Sequence, residues 1–151
     1  MKSKLEFGDN RVRITRVFDV PRQLVYAWWT QAERLQQWSV CKGCTHCEIE
    51  MDFRVGGGFT QKMQIAGAGE FTLQGTYEEI VDGERIVYRV NLGPVVTRVR
   101  VEFSDDGRGT KVVLTHDGLP DEFLQKTISQ GTAESFEKLA GLAARAAVVG
   151  Q

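Results

Sequence analysis

At Pro120 the hydrophobic period of this chain changes from two residues to about 3.6, and that change dictates its layout. Upstream, Val99, Val101 and Phe103 alternate with Arg98, Arg100 and Glu102. Successive side chains of a strand point to opposite faces, so this is one dry face and one wet face. That is the pattern of an antiparallel sheet packed on one side only. Downstream, residues 121–149 read as a single long helix. Leu124, Ile128, Thr132, Phe136, Leu139, Ala140 and Ala143 form its apolar stripe. Gly131 sits beside that stripe and costs about 1 kcal/mol relative to Ala. A sheet with one dry face and a helix with one dry stripe bury each other, which is the α+β solution.

The remaining elements follow from turn residues. Strands are expected at 48–55, 59–66, 70–81, 85–91, 96–104 and 110–116. Gly56-Gly57-Gly58, Gly67-Ala68-Gly69, Asp82-Gly83, Gly93-Pro94 and Asp105-Asp106-Gly107 separate them. An earlier strand, 11–20, carries Val12 and Ile14 between arginines. Pro21, suited to a first helical turn but not to a strand ladder, opens a helical stretch. Leu24, Val25, Trp28 and Trp29 and then Leu35 and Trp38 keep helical spacing, which makes the tryptophans core residues. Thr30 and Glu33 have capping-box spacing, so two helices are expected, 21–29 and 31–38, followed by a loop at 39–47. The order is β-α-α-β6-α. It makes one domain over residues 1–151, with its core at about 11–148.

Charge narrows the function classes. Lys and Arg number 19 against 20 Asp and Glu, a formal net charge of −1. A nucleic-acid binder would show a basic footprint, and a peripheral membrane protein a polybasic segment. No apolar run approaches the roughly 18 residues of a membrane span, and residues 1–6 do not open a signal peptide. A cytoplasmic protein with neither nucleic-acid nor membrane partners is expected.

All three cysteines fall within residues 41–47 of the expected loop, as Cys41-x-x-Cys44-x-x-Cys47 with His46 inside. Thiolates two residues apart can converge on one zinc ion at about 2.3 Å, but a closed site needs four ligands. His46 is the nearest candidate, and Glu48 and His116 are others. An iron–sulfur run would require a fourth cysteine, and position 51 is Met. A dithiol switch and three semi-buried thiols without chemistry are the other readings, and zinc is the candidate ion.

The chain has no Gly-x-Ser-x-Gly, no His-Glu-x-x-His and no phosphate loop. Its remaining candidates are polar and aromatic residues on dry strand faces, where a buried polar group needs a partner. These are Gln61 beside Met63, Tyr77 beyond Phe71 and Leu73, Tyr88, and His116. Asp117, adjacent to His116 in a strand, should face the other way.

Taken in order, several stretches resemble one family. They are Val20-Pro21 with Leu24-Val25-Tyr26, Trp29-Thr30, Leu35-Gln36-Gln37-Trp38 and Met51-Asp52-Phe53-Arg54-Val55-Gly56-Gly57. Gly75-Thr76-Tyr77-Glu78-Glu79-Ile80, Glu84-Arg85-Ile86-Val87-Tyr88, residues 109–116 and Gly118-Leu119-Pro120 complete the set. The set resembles the helix-grip fold of the START/birch-allergen-like (SRPBCC) superfamily. Within it, the likeness is to the branch named after the activator of the heat-shock-protein-90 ATPase. The resemblance implies a curved sheet around the long C-terminal helix, with a cavity between them. Gln61, Met63, Phe71, Leu73, Tyr77, Tyr88, His116, Thr132 and Phe136 would hold a hydrophobic or amphipathic small molecule there. This chain departs from the family by carrying Gly131-Thr132 where a Gly-Trp pair is usual, which enlarges the space below. Its cysteine run replaces a Gly-Pro-type loop. The resemblance also admits an aromatase/cyclase-like enzyme using His116, Tyr77 and Glu79, a co-chaperone-like module on a heat-shock-protein-90-type ATPase, and a homodimer. Of these, the binding module is the leading expectation, with no catalytic residue assigned.

Overall fold

The computed structural model describes residues 3–39 and 44–148. Strands β1 (Lys4–Gly8) and β2 (Arg11–Phe18) lead into helices α1 (Arg22–Ala27) and α2 (Ala32–Trp38). Six strands follow: β3 (Cys44–Met51), β4 (Gly58–Ile65), β5 (Gly69–Val81), β6 (Arg85–Leu92), β7 (Val95–Asp106) and β8 (Gly109–Asp117). Helix α3 (Glu122–Val148) closes the chain. The strands form one antiparallel sheet in the order β1-β2-β8-β7-β6-β5-β4-β3, which is the expected α+β helix-grip arrangement.

Three local expectations are corrected. First, β1 precedes the expected start at Arg11. All five of its residues are exposed, so its ladder to β2, from Lys4 opposite Thr15 to Gly8 opposite Arg11, holds it rather than burial. Asn10 closes this hairpin at φ 56°, in the left-handed region that Asn tolerates. Its carbonyl accepts from the amides of Gly118 and Leu119 at 2.9 Å each, tying the hairpin to the approach to α3. Second, no capping box forms. The Thr30 hydroxyl donates to the Ala27 carbonyl at 3.0 Å, and Gln31 stands at the start of α2 without a side-chain cap. Third, the segment expected to be a loop up to Cys47 is already strand from Cys44.

The start of α3 is capped by Asp121, whose Oδ1 accepts from the Leu124 amide at 2.7 Å. Phe136, Leu139 and Ala143 of the expected stripe are buried, whereas Leu124 and Ile128 are only partly so. In their place the first half of α3 buries Gln125 and Ser129, which donate to the carbonyls of Leu119 (3.0 Å) and Lys126 (3.1 Å). The helix therefore grips solid core at its C-terminal half and leaves space under its N-terminal half.

Strand register arranges the inner face in ranks. Ile14, Leu114, Val101, Ile86 and Ile80 form one rank. Val12, His116, Val99, Tyr88 and Tyr77 form the next. Thr97, Val90, Gly75, Phe59 and Met51 form a third. A bulge between Tyr77 and Glu79 adds one residue to β5, so that Ile80 rather than Glu79 continues the inner face beyond Tyr77. The turn before β4 pins that bulge: the Gly56 amide donates to the Tyr77 carbonyl at 2.8 Å, and the Tyr77 amide donates to the Gly57 carbonyl at 2.9 Å.

Candidate functional site

A cavity of about 340 Å³ lies between the second and third ranks and the first half of α3. The helix contributes Thr127, Ile128, Gly131, Thr132, Ser135 and Phe136, which recur at the spacing of one helical face. From the sheet come His116, Tyr88, Tyr77, Phe59, Gln61, Met63 and Leu73. Trp29, Leu35 and Trp38 close one end. Among the described residues, no Asp, Glu, Lys or Arg lines it.

The structure thus brings together Gln61, Met63, Leu73, Tyr77, Tyr88, His116, Thr132 and Phe136 of the sequence candidates. Phe71 is the exception. Although it pairs with Met63, it lies beyond the cavity and is 48% exposed. Alternation fixes the face of a residue but not how far along the strand the helix covers that face.

His116 is almost wholly buried, and its Nε2 lies 2.8 Å from Thr97 Oγ1. Burial pulls its pKa down to about 4, against a small upward pull from Asp117, so the ring is neutral at pH 7. Asp117 does face the other way, paired with Arg11. Glu79 also leaves the site: it is exposed and paired with Arg85 on the outer side. Among the described residues that line the cavity, His116 has no carboxylate partner. Burial also raises the phenol pKa values of Tyr77 and Tyr88, and neither hydroxyl finds a hydrogen-bond partner among the described residues. Gln61 is held in place by its Nε2, which donates to the Ser39 carbonyl at 2.5 Å.

Aromatic rings pack along the wall, mostly edge to face, with Phe59 tilted against Tyr77. Tyr77 meets Phe53, Phe59 and Tyr88 with centroids 5.1, 5.4 and 6.0 Å away, and Trp29 meets Trp38 at 4.6 Å. The tryptophans pack in the core as expected, and two of them also front the cavity.

The cysteine segment takes a different form from the expected metal loop. Cys41 lies outside the described residues. His46 and Glu48 share the exposed side of β3, with Nε2 and Oε1 3.1 Å apart. Cys47 stands opposite Met63, its sulfur 3.6 Å from Gln61 Nε2. Strand alternation therefore divides His46 from Cys47. The Cys44 thiol donates to the His46 carbonyl at 3.1 Å. Among the described residues no group of three or more His, Cys, Asp or Glu could hold a metal ion.

Sequence reasoning missed Phe59, Gly131 and Thr97. The signal for Gly131 was its place four residues before Ser135 and one before Thr132. For Thr97 it was a hydroxyl on the dry side of a Val-x-Thr-x-Val-x-Val alternation.

A family model described as "Activator of Hsp90 ATPase homolog 1-like protein" matches residues 19–144. Among solved structures, the Chromobacterium violaceum protein CV1439 is 25% identical with a TM-score of 0.79, covering 89% of this chain and 96% of its own. Protein NE0264 of Nitrosomonas europaea is 22% identical with a TM-score of 0.81, covering 95% and 99%. A Rhizobium leguminosarum protein is 25% identical with a TM-score of 0.73, covering 96% and 99%. No curated protein matches this chain. Among the described residues, no helix is long and apolar enough to cross a membrane.

Proposed function

This chain belongs to the family of Activator of Hsp90 ATPase homolog 1-like proteins, and from that premise we propose that it binds an uncharged, largely apolar small molecule between the sheet and α3. The observation that carries the reading is a cavity of about 340 Å³ whose described lining is apolar except for uncharged polar residues. An apolar pocket with a few convergent polar groups is the usual form of a small-molecule site. Gly131 supports it further. A Cβ built there meets nothing within 4 Å, so the helix forgoes a better helix former while leaving space open beneath it.

A neutral fluorescent probe, N-phenyl-1-naphthylamine, tests this. Saturable one-site binding to the wild type is expected. Thr132→Trp, which restores a ring above the cavity, should abolish binding while leaving the fold's circular dichroism unchanged. No binding to the wild type, or undiminished binding to a folded Thr132→Trp variant, overturns the proposal. The family description also motivates contact with an Hsp90-type ATPase, but no feature of the described surface favours that reading over the cavity.

A further inference from the structure

The hydrogen bonds around His116 favour one tautomer. The Thr97 hydroxyl donates to the Val90 carbonyl at 3.2 Å, which leaves its oxygen to accept. The ring nitrogen 2.8 Å from that oxygen, Nε2, is then the donor. A neutral imidazole carries one N–H, so Nδ1 presents a bare lone pair. It has no partner among the described residues and is not sealed in the core, so it opens onto the cavity that His116 lines. Gln61 supplies a second fixed acceptor. Its amide nitrogen donates to the Ser39 carbonyl, and its Oε1 has no donor among the described residues.

An unpaired buried acceptor costs free energy that a ligand donor recovers. A carboxylate ligand would gain no cationic partner among the described lining residues to offset its desolvation. Trp29, Trp38, Phe59, Tyr77, Tyr88 and Phe136 offer ring edges and faces to a flat apolar body. We propose that the cavity selects a neutral aromatic molecule bearing a hydroxyl group, whose O–H donates to His116 Nδ1. This rests on the small-molecule reading above and names the ligand class for it. Thr97 is a positioning residue that acts by holding the tautomer.

The test compares 2-naphthol, 2-methoxynaphthalene and 2-naphthoate as competitors of N-phenyl-1-naphthylamine on the wild-type protein at pH 7.5. Methylation removes only the donor. The naphthol should bind about tenfold more tightly than its methyl ether, the worth of roughly one hydrogen bond, and naphthoate most weakly. In ¹⁵N spectra the His116 Nδ1 resonance should be that of an unprotonated nitrogen and should shift with the naphthol alone. Thr97→Val should cut the naphthol preference to less than about threefold, since the tautomer is then unconstrained. Equal affinities for naphthol and ether, tighter binding of naphthoate, or a protonated Nδ1 overturns the inference while probe binding upholds the cavity. Failure of every compound, the probe included, overturns both.

Discussion

The ring of Phe59 lies over Gly75: a Cβ built on that glycine would come within 2.4 Å of the ring and 2.2 Å of the Arg89 carbonyl. The absent side chain lets Phe59 reach across the sheet to Tyr77 and Tyr88, at centroid distances of 5.4 Å each. The absence of one Cβ thus leaves Phe59 its place in the cavity wall. Gly75→Ala should destabilise the fold by about 1–3 kcal/mol through overpacking and weaken probe binding by moving Phe59. Urea denaturation and a probe titration measure the two effects, and a neutral outcome in both would show that the ring has another place to go.

Gly131 is the opposite case. The space above it is empty, so Gly131→Ala should raise stability by about 0.5–1 kcal/mol through helix propensity alone. The larger Gly131→Leu should keep that stability and lose probe affinity by occupying the cavity. A thermal melt and a titration on the same samples separate stability from binding.

The buried imidazole makes stability depend on pH. His116 has a pKa of about 4 in the fold and about 6.5 when unfolded. Between those values the unfolded chain binds the extra proton, so stability rises with pH. The contribution is complete above about pH 7 and is lost as pH falls through 6.5 towards 4, amounting to roughly 3 kcal/mol. His116→Gln should flatten that part of the profile. Denaturant midpoints at half-unit pH steps for both proteins check this, and parallel profiles would show that the ring is solvated.

Arg16 is 5% exposed beneath α3, with its guanidinium 3.1 Å from Glu137 and 5.5 Å from the centre of the Phe18 ring. Glu137 is largely exposed, which screens the ion pair. Arg16→Ala should cost about 2–3 kcal/mol, mainly in lost packing of the buried stem. Glu137→Ala should stay within about 1 kcal/mol. Similar losses in the two variants, measured by chemical denaturation at low and high salt, would assign the stabilisation to charge instead.

Most of the strand faces were legible because a period of two is a local property of the chain. Gln61, Met63, Tyr77, Tyr88 and His116 could be put on the inner face from alternation alone. Phe71 could not be excluded from the cavity, because its exposure depends on where α3 ends its cover rather than on its own strand. Residues 44–47 read as loop rather than strand for a related reason. No alternation of apolar residues marks 44–47 as strand. Only pairing with β4, from Cys44 opposite Ile65 to Cys47 opposite Met63, makes it one and parts His46 from Cys47.

By itself the sequence determined the α+β class, the antiparallel sheet and the long C-terminal helix. Each of these is written in short-range periodicity and in residue type. Tertiary structure alone decided that Val12, His116, Val99, Tyr88 and Tyr77 share a rank, and that Thr97 and Val90 orient the imidazole. It alone left Gly131 over empty space. Register, hydrogen-bond direction and cavity volume arise between residues far apart in the chain, so no local pattern records them.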